Sequence, residues 1–501
     1  MDDLASTADL AAGPRTPHTW WLAVAIVFLG VALRAWNLDG TGYTSDEIEE
    51  LKLSRAPLAD LILDRDGDRF PPLHRSLVGI EIRSTGSDLA ARWLSVVCGG
   101  LTLVVVWRSG VMLLGDWDAL WPTLLITCSP FHIFYCRDGR AYSMYMLWAA
   151  VMFWAALRLL RRGAWRDWLM LIVATAGAVY THYYAAPLAV VVWAITLYVT
   201  IRRDGWRWPL TAALGASVLL APAPILLWMA MSDLPNEKLV AWFDVEALGF
   251  AYVSLATGFA AGPSIQELRS MPASEGIRQF LPWVAAIGFA YATLGWYALR
   301  RLRKFELALL LAPPLVLVPI LGIVGNLIEQ GFVFRYVSWM TIPYALLLGA
   351  GARRWRQRPI VAVAIAALLM VNGVAIFNRN FDPRYAEEDF RAVAKKLDEL
   401  DPERGPVLVA SDYTGTALSY YAGTSRSIAS FPIFSQHVAE REAAIDEFLV
   451  RHPPGTRFTL VSQWLPADDV RRATRDAALH QFAARLVAEL NQTEIYSAAV
   501  P

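Results

Sequence analysis

Charge is scarce in this chain. Asp, Glu, Lys and Arg make up only 18% of its 501 residues, against about 25% in an ordinary soluble domain. The charge also balances, 45 basic residues against 45 acidic, so nothing suggests the basic face that nucleic acid requires. Cysteine is nearly missing. Cys98, Cys128 and Cys136 are odd in number, lie in or beside apolar stretches and form no CxxC pattern. They exclude a disulfide framework and read as small hydrophobes. There is no internal repeat and no long low-complexity segment. The opening does not read as a cleaved signal: it carries Asp2 and Asp3, and its first apolar run ends in LRAW without a small-residue cleavage site.

What is abundant is apolar surface. Hydrophobic residues are 56% of the chain, Trp alone occurs 21 times, and the mean hydropathy is +0.38. A membrane span takes about 20 apolar residues. On that basis about 11 spans are predicted, near 19–36, 92–114, 118–135, 142–161, 168–183, 186–201, 209–231, 281–299, 305–325, 335–352 and 359–377. The Gly-rich stretch Ala247 to Ala261 reads as a re-entrant or surface-lying piece. Basic clusters at Arg158-Arg161-Arg162-Arg166, Arg202-Arg203-Arg207, Arg300-Arg301-Arg303-Lys304 and Arg353-Arg354-Arg356-Arg358 then all fall on the side of the N-terminus. The positive-inside rule makes that side cytoplasmic. Loop 37–91 and the C-terminal part face outward.

Residues 379–501 change character. Phe390, Val393, Leu397 and Leu400 lie at helical spacing in YAEEDFRAVAKKLDEL, while PVLVASDY and FTLVSQW read as buried strands. The fold class is therefore mostly α. A polytopic membrane helical bundle, residues 1–378, carries a small extracytoplasmic α/β domain, residues 379–501. That domain either docks an acceptor or covers the membrane part.

The informative polar residues gather at the outward ends of spans. Asp46-Glu47 lies just past the first span, where two adjacent carboxylates add nothing to a membrane core. His74 comes after the Pro71-Pro72 pair. Arg92 opens the second span. Arg137, Asp138, Arg140 and Tyr142 stand between the third and fourth, and His182-Tyr183 between the fifth and sixth. Arg335-Tyr336 opens the tenth. A proton-coupled transporter would instead place ionisable groups near the midplane. Each residue also has a structural reading. Asp46-Glu47 fits a helix N-terminus capped by Thr44 or Ser45. Asp64 to Asp68 fits a solvated turn better than a calcium loop. Arg92 and Arg335 fit interfacial anchors. His74 and His182 fit interfacial hydrogen bonding, with a divalent metal held by them and a carboxylate as the rival.

The run SPFHIFYCRDGRAYSMY, Ser129 to Tyr145, with ARWLSVVCGGLTLVVVWRSGVMLLG before it, resembles the polyprenyl-phosphate-sugar-dependent glycosyltransferases of the GT-C fold. Within them it resembles glycosyltransferase family 39, the protein O-mannosyltransferase and aminoarabinose transferase group. The ordered set is Asp46-Glu47, Phe70-Pro71-Pro72-Leu73-His74, Arg92, Ser129-Pro130…Asp138-Gly139-Arg140-Ala141-Tyr142, and the later Arg335-Tyr336 span. Three positions depart from the family pattern: Phe70 stands for its His, His74 for its Tyr and Asp138 for its Glu. The match is good over residues 20–200 and looser beyond.

The resemblance implies sugar transfer from a polyprenyl phosphate, undecaprenyl or decaprenyl, to an acceptor glycan, lipid or protein, with inversion. Asp46 is the base, and Glu47 is its alternate or its like-charged neighbour. Arg92, Arg137, Arg140 and Arg335 hold the departing phosphate. His74, Asp138, Tyr142, His182, Tyr183 and Tyr336 bind substrate. No cofactor is assigned, and a divalent metal stays open. The expected location is a bacterial cytoplasmic (inner) membrane, with the N-terminus cytoplasmic and the active site extracytoplasmic. A lipid-linked glycan ligase or polymerase, a sugar-lipid transporter and a non-catalytic membrane subunit are the alternatives.

Overall fold

The structure is a computed structural model. It describes residues 17–63, 71–161, 163–205, 243–264, 267–268, 271–327, 333–386, 388–423, 426–431, 438–463, 479–490 and 493–501. The predicted span 209–231, the Asp64–Asp68 turn and Phe70 lie outside these residues. The chain divides into two compact units. One holds residues 1–36, 53–261 and 281–376, and the other residues 37–52, 262–280 and 377–501.

The first unit is a helical bundle. Seven of the described helices are long and apolar enough to cross a membrane. They include α1 (Pro17–Ala35), α5 (Ala90–Leu114), α8 (Tyr142–Arg161) and α10 (Ala185–Asp204). The shorter α3 (Leu58–Leu63) and α4 (Pro72–Thr85) precede α5 in the chain, while α2 (Ser45–Ser54) lies mostly in the second unit. Three other predicted spans differ from a plain helix. Residues 118–135 break into α6 (Leu120–Thr127) and α7 (Pro130–Tyr135). The cause is local: Pro130 cannot continue a helix but suits its first position, and the Ser129 hydroxyl caps the new one by accepting from His132 N–H at 3.3 Å. The window 168–183 is the 15-residue α9 (Trp165–Val179). The window 335–352 starts with 3-10 turns over Phe334–Met340 and becomes regular only at Thr341–Ala352. The count of 11 is thus not met among the described residues. Residues 305–325 do form one rod, widened into a π-turn at Pro313–Leu317, where two prolines remove ordinary helix donors.

Ends of these helices gather by charge. Arg161 at the end of α8 pairs with Glu306 at 2.6 Å and donates to the Met112 carbonyl near the end of α5. Arg203, ending α10, donates to the Leu159 and Leu160 carbonyls at 2.9 and 3.1 Å. Arg158 pairs with Asp167 on the first turn of α9, and Arg353 with Asp118 just before α6. Three of the four basic clusters are therefore built into one end of the bundle. At the other end Leu73 N–H donates to the Tyr180 carbonyl at 2.9 Å, and the Ser143 hydroxyl donates to the Ser95 carbonyl at 2.6 Å. That end carries His74, Arg92, Tyr142 and His182.

The apolar stretch expected to be re-entrant or surface-lying forms α11 (Val245–Thr257). Residues Ser254 to Ala261 are buried. The Phe259 ring lies 5.7 Å from that of Phe131 and 4.7 Å from that of Phe334. Gly258 makes this approach possible. Its φ is +51°, and a Cβ there would sit 2.6 Å from the Pro130 carbonyl carbon.

In the second unit a five-stranded sheet has the order β2-β1-β3-β5-β4. Its strands are β1 (Val407–Val409), β2 (Ile428–Ser430), β3 (Arg457–Gln463), β4 (Arg485–Leu490) and β5 (Thr493–Ala499). β1 pairs in parallel with β2 and β3, and β5 pairs antiparallel with β3 and β4. The predicted strands are β1 and β3. The predicted amphipathic helix is Phe390–Leu400, which buries Phe390, Val393 and Leu397. Leu400, expected on the same face, is 40% exposed at the helix end.

Gly258→Ala should cost ~2 kcal/mol or more, from the left-handed backbone and the overlap with Pro130. Thermal unfolding of the purified protein in detergent measures it, with Gly249→Ala, which meets open space, as the control.

Candidate active site

In the bundle, the loop Cys136–Ala141 between α7 and α8 carries Arg137, Asp138 and Arg140. Its neighbours form a ring cluster around His182, in the short connection between α9 and α10. The His182 imidazole stacks on Tyr145 with centroids 5.0 Å apart and planes 5° apart. Tyr142, Tyr336 and Tyr184 surround it at 5.8, 5.3 and 5.9 Å. The Arg335 guanidinium lies 5.9 Å from both the Tyr142 and Tyr336 rings. Burial, then Arg140, then Arg335 push the His182 pKa down to about 3. His182 is therefore neutral, and its Nδ1 accepts from Tyr184 N–H at 3.3 Å.

The structure thus brings together Arg140, Tyr142, His182, Arg335 and Tyr336. Arg92 is 4% exposed, one turn before Ser95, whose hydroxyl donates to the Arg140 carbonyl at 3.4 Å. His74 is buried at the start of α4, and it counters the rise that burial imposes on the Glu81 pKa. Tyr183 lies in the same connection as His182.

A metal at His182 does not suit these neighbours. Two guanidinium groups and a sheath of tyrosines surround the imidazole, and its Nδ1 is already engaged. Among the described residues no three His, Cys, Asp or Glu side chains stand together as a metal site. The setting favours an anion instead.

A buried lock beneath the loop is not visible in the sequence pattern. Arg34, in the last turn of α1, is fully buried. Its five N–H groups reach the Gly30, Thr127 and Ile126 carbonyls at 2.7, 3.3 and 3.0 Å, and His132 Nδ1 twice, at 3.3 and 2.8 Å. Two of those carbonyls end α6, so the cation sits at the negative end of that helix. The Cys136 sulfur lies 3.2 Å from the same His132 nitrogen and 3.3 Å from the Ser143 hydroxyl. The lock therefore spans both flanks of the loop. One signal could have exposed it: an arginine one turn inside the end of an apolar run.

In the second unit, Asp46 and Glu47 stand on the first turn of α2 (Ser45–Ser54). Glu47 is buried, and its carboxylate accepts from the Thr44 N–H at 3.0 Å. The Thr44 hydroxyl in turn accepts from Glu47 N–H at 3.3 Å. This is a capping box, so the structural reading of Glu47 holds. Asp46 is only half-buried. The segment is fastened to the α/β core of its own unit. Ile48 is fully buried in a cluster with Phe390, Val393, Leu418 and Ile495. Asp389 Oδ1 accepts from both Gly42 N–H and Ala392 N–H at 3.0 Å, so one carboxylate caps the Phe390 helix and ties down the acid-bearing segment.

Residues 75–228 match a family profile described as dolichyl-phosphate-mannose-protein mannosyltransferase. The structure is similar to that of ArnT from Cupriavidus metallidurans in the apo state, with a TM-score of 0.58 at 14% identity, over 96% of this chain and 98% of that one. It is also similar to the same protein bound to undecaprenyl phosphate, with a TM-score of 0.55 at 15% identity over the same shares. No curated protein matches. The fold is the GT-C fold, and the profile match and the fold together support glycosyltransferase activity.

Two variants probe this architecture. Arg34→Met should cost ~3 kcal/mol, because it strips charged hydrogen bonds from buried carbonyls; thermal unfolding in detergent measures it. The second concerns His182. Its folded pKa lies below the unfolded value near 6.5, so the stability held by the neutral ring is complete above pH 6.5 and is lost as the pH falls towards 3. His182→Phe, which preserves the stack, should narrow the difference in melting temperature between pH 7 and pH 4.

Proposed function

We propose that this chain is a membrane glycosyltransferase that moves a sugar from a polyprenyl phosphate to an acceptor hydroxyl or amine. The observation that carries the reading is the anion-suited cluster of Arg140 and Arg335 with Tyr142, Tyr336 and neutral His182, at the bundle end opposite the basic clusters. Its support from outside is the shared fold of ArnT, a protein seen bound to undecaprenyl phosphate. We place this end on the extracytoplasmic face of a bacterial inner membrane, because the positive-inside rule assigns the opposite end to the cytoplasm.

The leaving group is already a phosphate, so the reaction needs no strong acid. It needs a base on the acceptor and positive charge on the departing oxygen. In this reading Asp46 takes the acceptor proton as the acceptor oxygen or nitrogen bonds to the anomeric carbon. The bond from that carbon to the phosphate oxygen breaks, and the polyprenyl phosphate leaves with both bonding electrons. Attack opposite the leaving group inverts the anomeric carbon. Glu47 is engaged by its cap, which favours Asp46 as base. Arg140 and Arg335, with Arg92 and Arg137, balance the phosphate charge; guanidinium suits it because it can pair in bidentate fashion. His182 stays neutral among them and donates from Nε2. His74, Asp138, Tyr142, Tyr183 and Tyr336 complete the substrate contacts.

Transfer of radiolabelled sugar from polyprenyl-phosphate donors in membranes tests this. Asp46→Asn keeps the shape and removes the base, and should lower transfer by about 10²–10⁴-fold while protein level and melting temperature hold. Undiminished transfer by that variant would remove Asp46 from the role. No transfer by wild type across a donor panel would overturn the glycosyltransferase reading.

A further inference from the structure

We propose that the second unit carries its own binding site for a small oxyanion, a phosphate or a carboxylate borne by a molecule of sugar size. A cavity of about 190 Å³ opens between the Phe390–Leu400 helix, the Asp412–Ala422 helix and β2. Four cations line it, Arg391, Lys395, Arg404 and Arg426, against one carboxylate, Asp398. Leu397, Leu418 and Tyr421 supply an apolar wall, the mixture typical of small-ligand sites.

Arg426 is the central observation. Its side chain is only 2% exposed. Among the described residues its polar contacts run through one nitrogen, Nη2, which reaches the Asp401 and Leu397 carbonyls at 2.7 and 3.4 Å and the Asp398 and Asp401 carboxylates at 3.5 and 3.6 Å. Nε and Nη1 are buried and have no hydrogen-bond partner among the described residues. Buried guanidinium N–H groups without acceptors are costly, and an oxyanion beside them would supply a charge-assisted acceptor. The other cations are held differently. Arg391 is bound to Asp39, and Arg404 pairs with Asp398 at 3.4 Å from a left-handed backbone, φ 56°. Lys395 is exposed on the rim and makes no ion pair among the described residues.

Calorimetric titration of the purified full-length protein at low salt tests the site, with inorganic phosphate, glucose 1-phosphate, glucuronate and neutral glucose as probes. Glucose 1-phosphate or glucuronate should bind saturably and glucose should not. Lys395→Glu, a surface change that spares the core, should weaken binding tenfold or more, as should high salt. Arg426→Met should abolish it where melting shows the variant folded. Binding of inorganic phosphate alone would also uphold the oxyanion site and assign it the free ion. No saturable binding of any oxyanion by wild type, or equal binding by Lys395→Glu, would overturn the proposal. Asp46→Asn protein should bind the probes normally, so the outcome stands apart from the transfer reaction.

Discussion

The bundle depends on one guanidinium that has no carboxylate partner among the described residues. Arg34 is buried where a charge is expensive, and five hydrogen bonds to carbonyls and one imidazole offset that cost. Two of those acceptors, the Ile126 and Thr127 carbonyls, are within reach because the chain breaks its helix at Cys128-Ser129-Pro130. The break and the cation need each other. A straight helix through residues 118–135 would bury Arg34 against satisfied backbone, and a neutral residue at position 34 would take charged hydrogen bonds from the Ile126 and Thr127 carbonyls. Just beyond α7 comes the loop bearing Arg137, Asp138 and Arg140, pinned by Cys136 and Ser143 to the same network.

Above that lock, the chemistry is one of position. Burial and two arginines favour the neutral form of His182, and its ring stacks on Tyr145 with Tyr336 tilted beside it. In the proposed reaction the imidazole would be an uncharged donor beside the positive charges of Arg140 and Arg335. Such a cluster is organised before any substrate arrives, which is the condition under which electrostatic stabilisation works. The acidic pair is supported differently. Its segment, residues 37–52, belongs to the compact unit that contains the C-terminal sheet, with Ile48 in that unit's core and Asp389 tying the backbone down. A domain whose sequence suggests an acceptor dock or a cover thus also supports the residues carrying the proposed base.

Much of this was legible in the sequence, and the failures have identifiable causes. Long apolar runs ending in arginine clusters revealed the helices, because length and end charge survive averaging over a window. The same averaging hid the break at residues 128–130, since a Ser-Pro pair barely lowers hydropathy while deciding the backbone. His132 disappeared into SPFHIFY for that reason. Arg140, Tyr142, His182 and Arg335-Tyr336 stood out because polar residues at span ends are conspicuous; their mutual stacking did not, since it joins three distant segments. In the α/β unit, β1 and β3 were visible as buried runs. β4 was missed: its LVAEL segment is largely exposed, and only pairing with β5 makes it a strand. Leu400 kept the right period and still faces solvent, because the helix ends there.

The most direct test of the central claim is equilibrium binding of undecaprenyl phosphate to the purified protein, comparing wild type with the Arg140→Gln/Arg335→Gln double variant. The account predicts saturable, salt-sensitive binding by wild type and a loss of tenfold or more in the folded variant. Equal binding by the two proteins would contradict it.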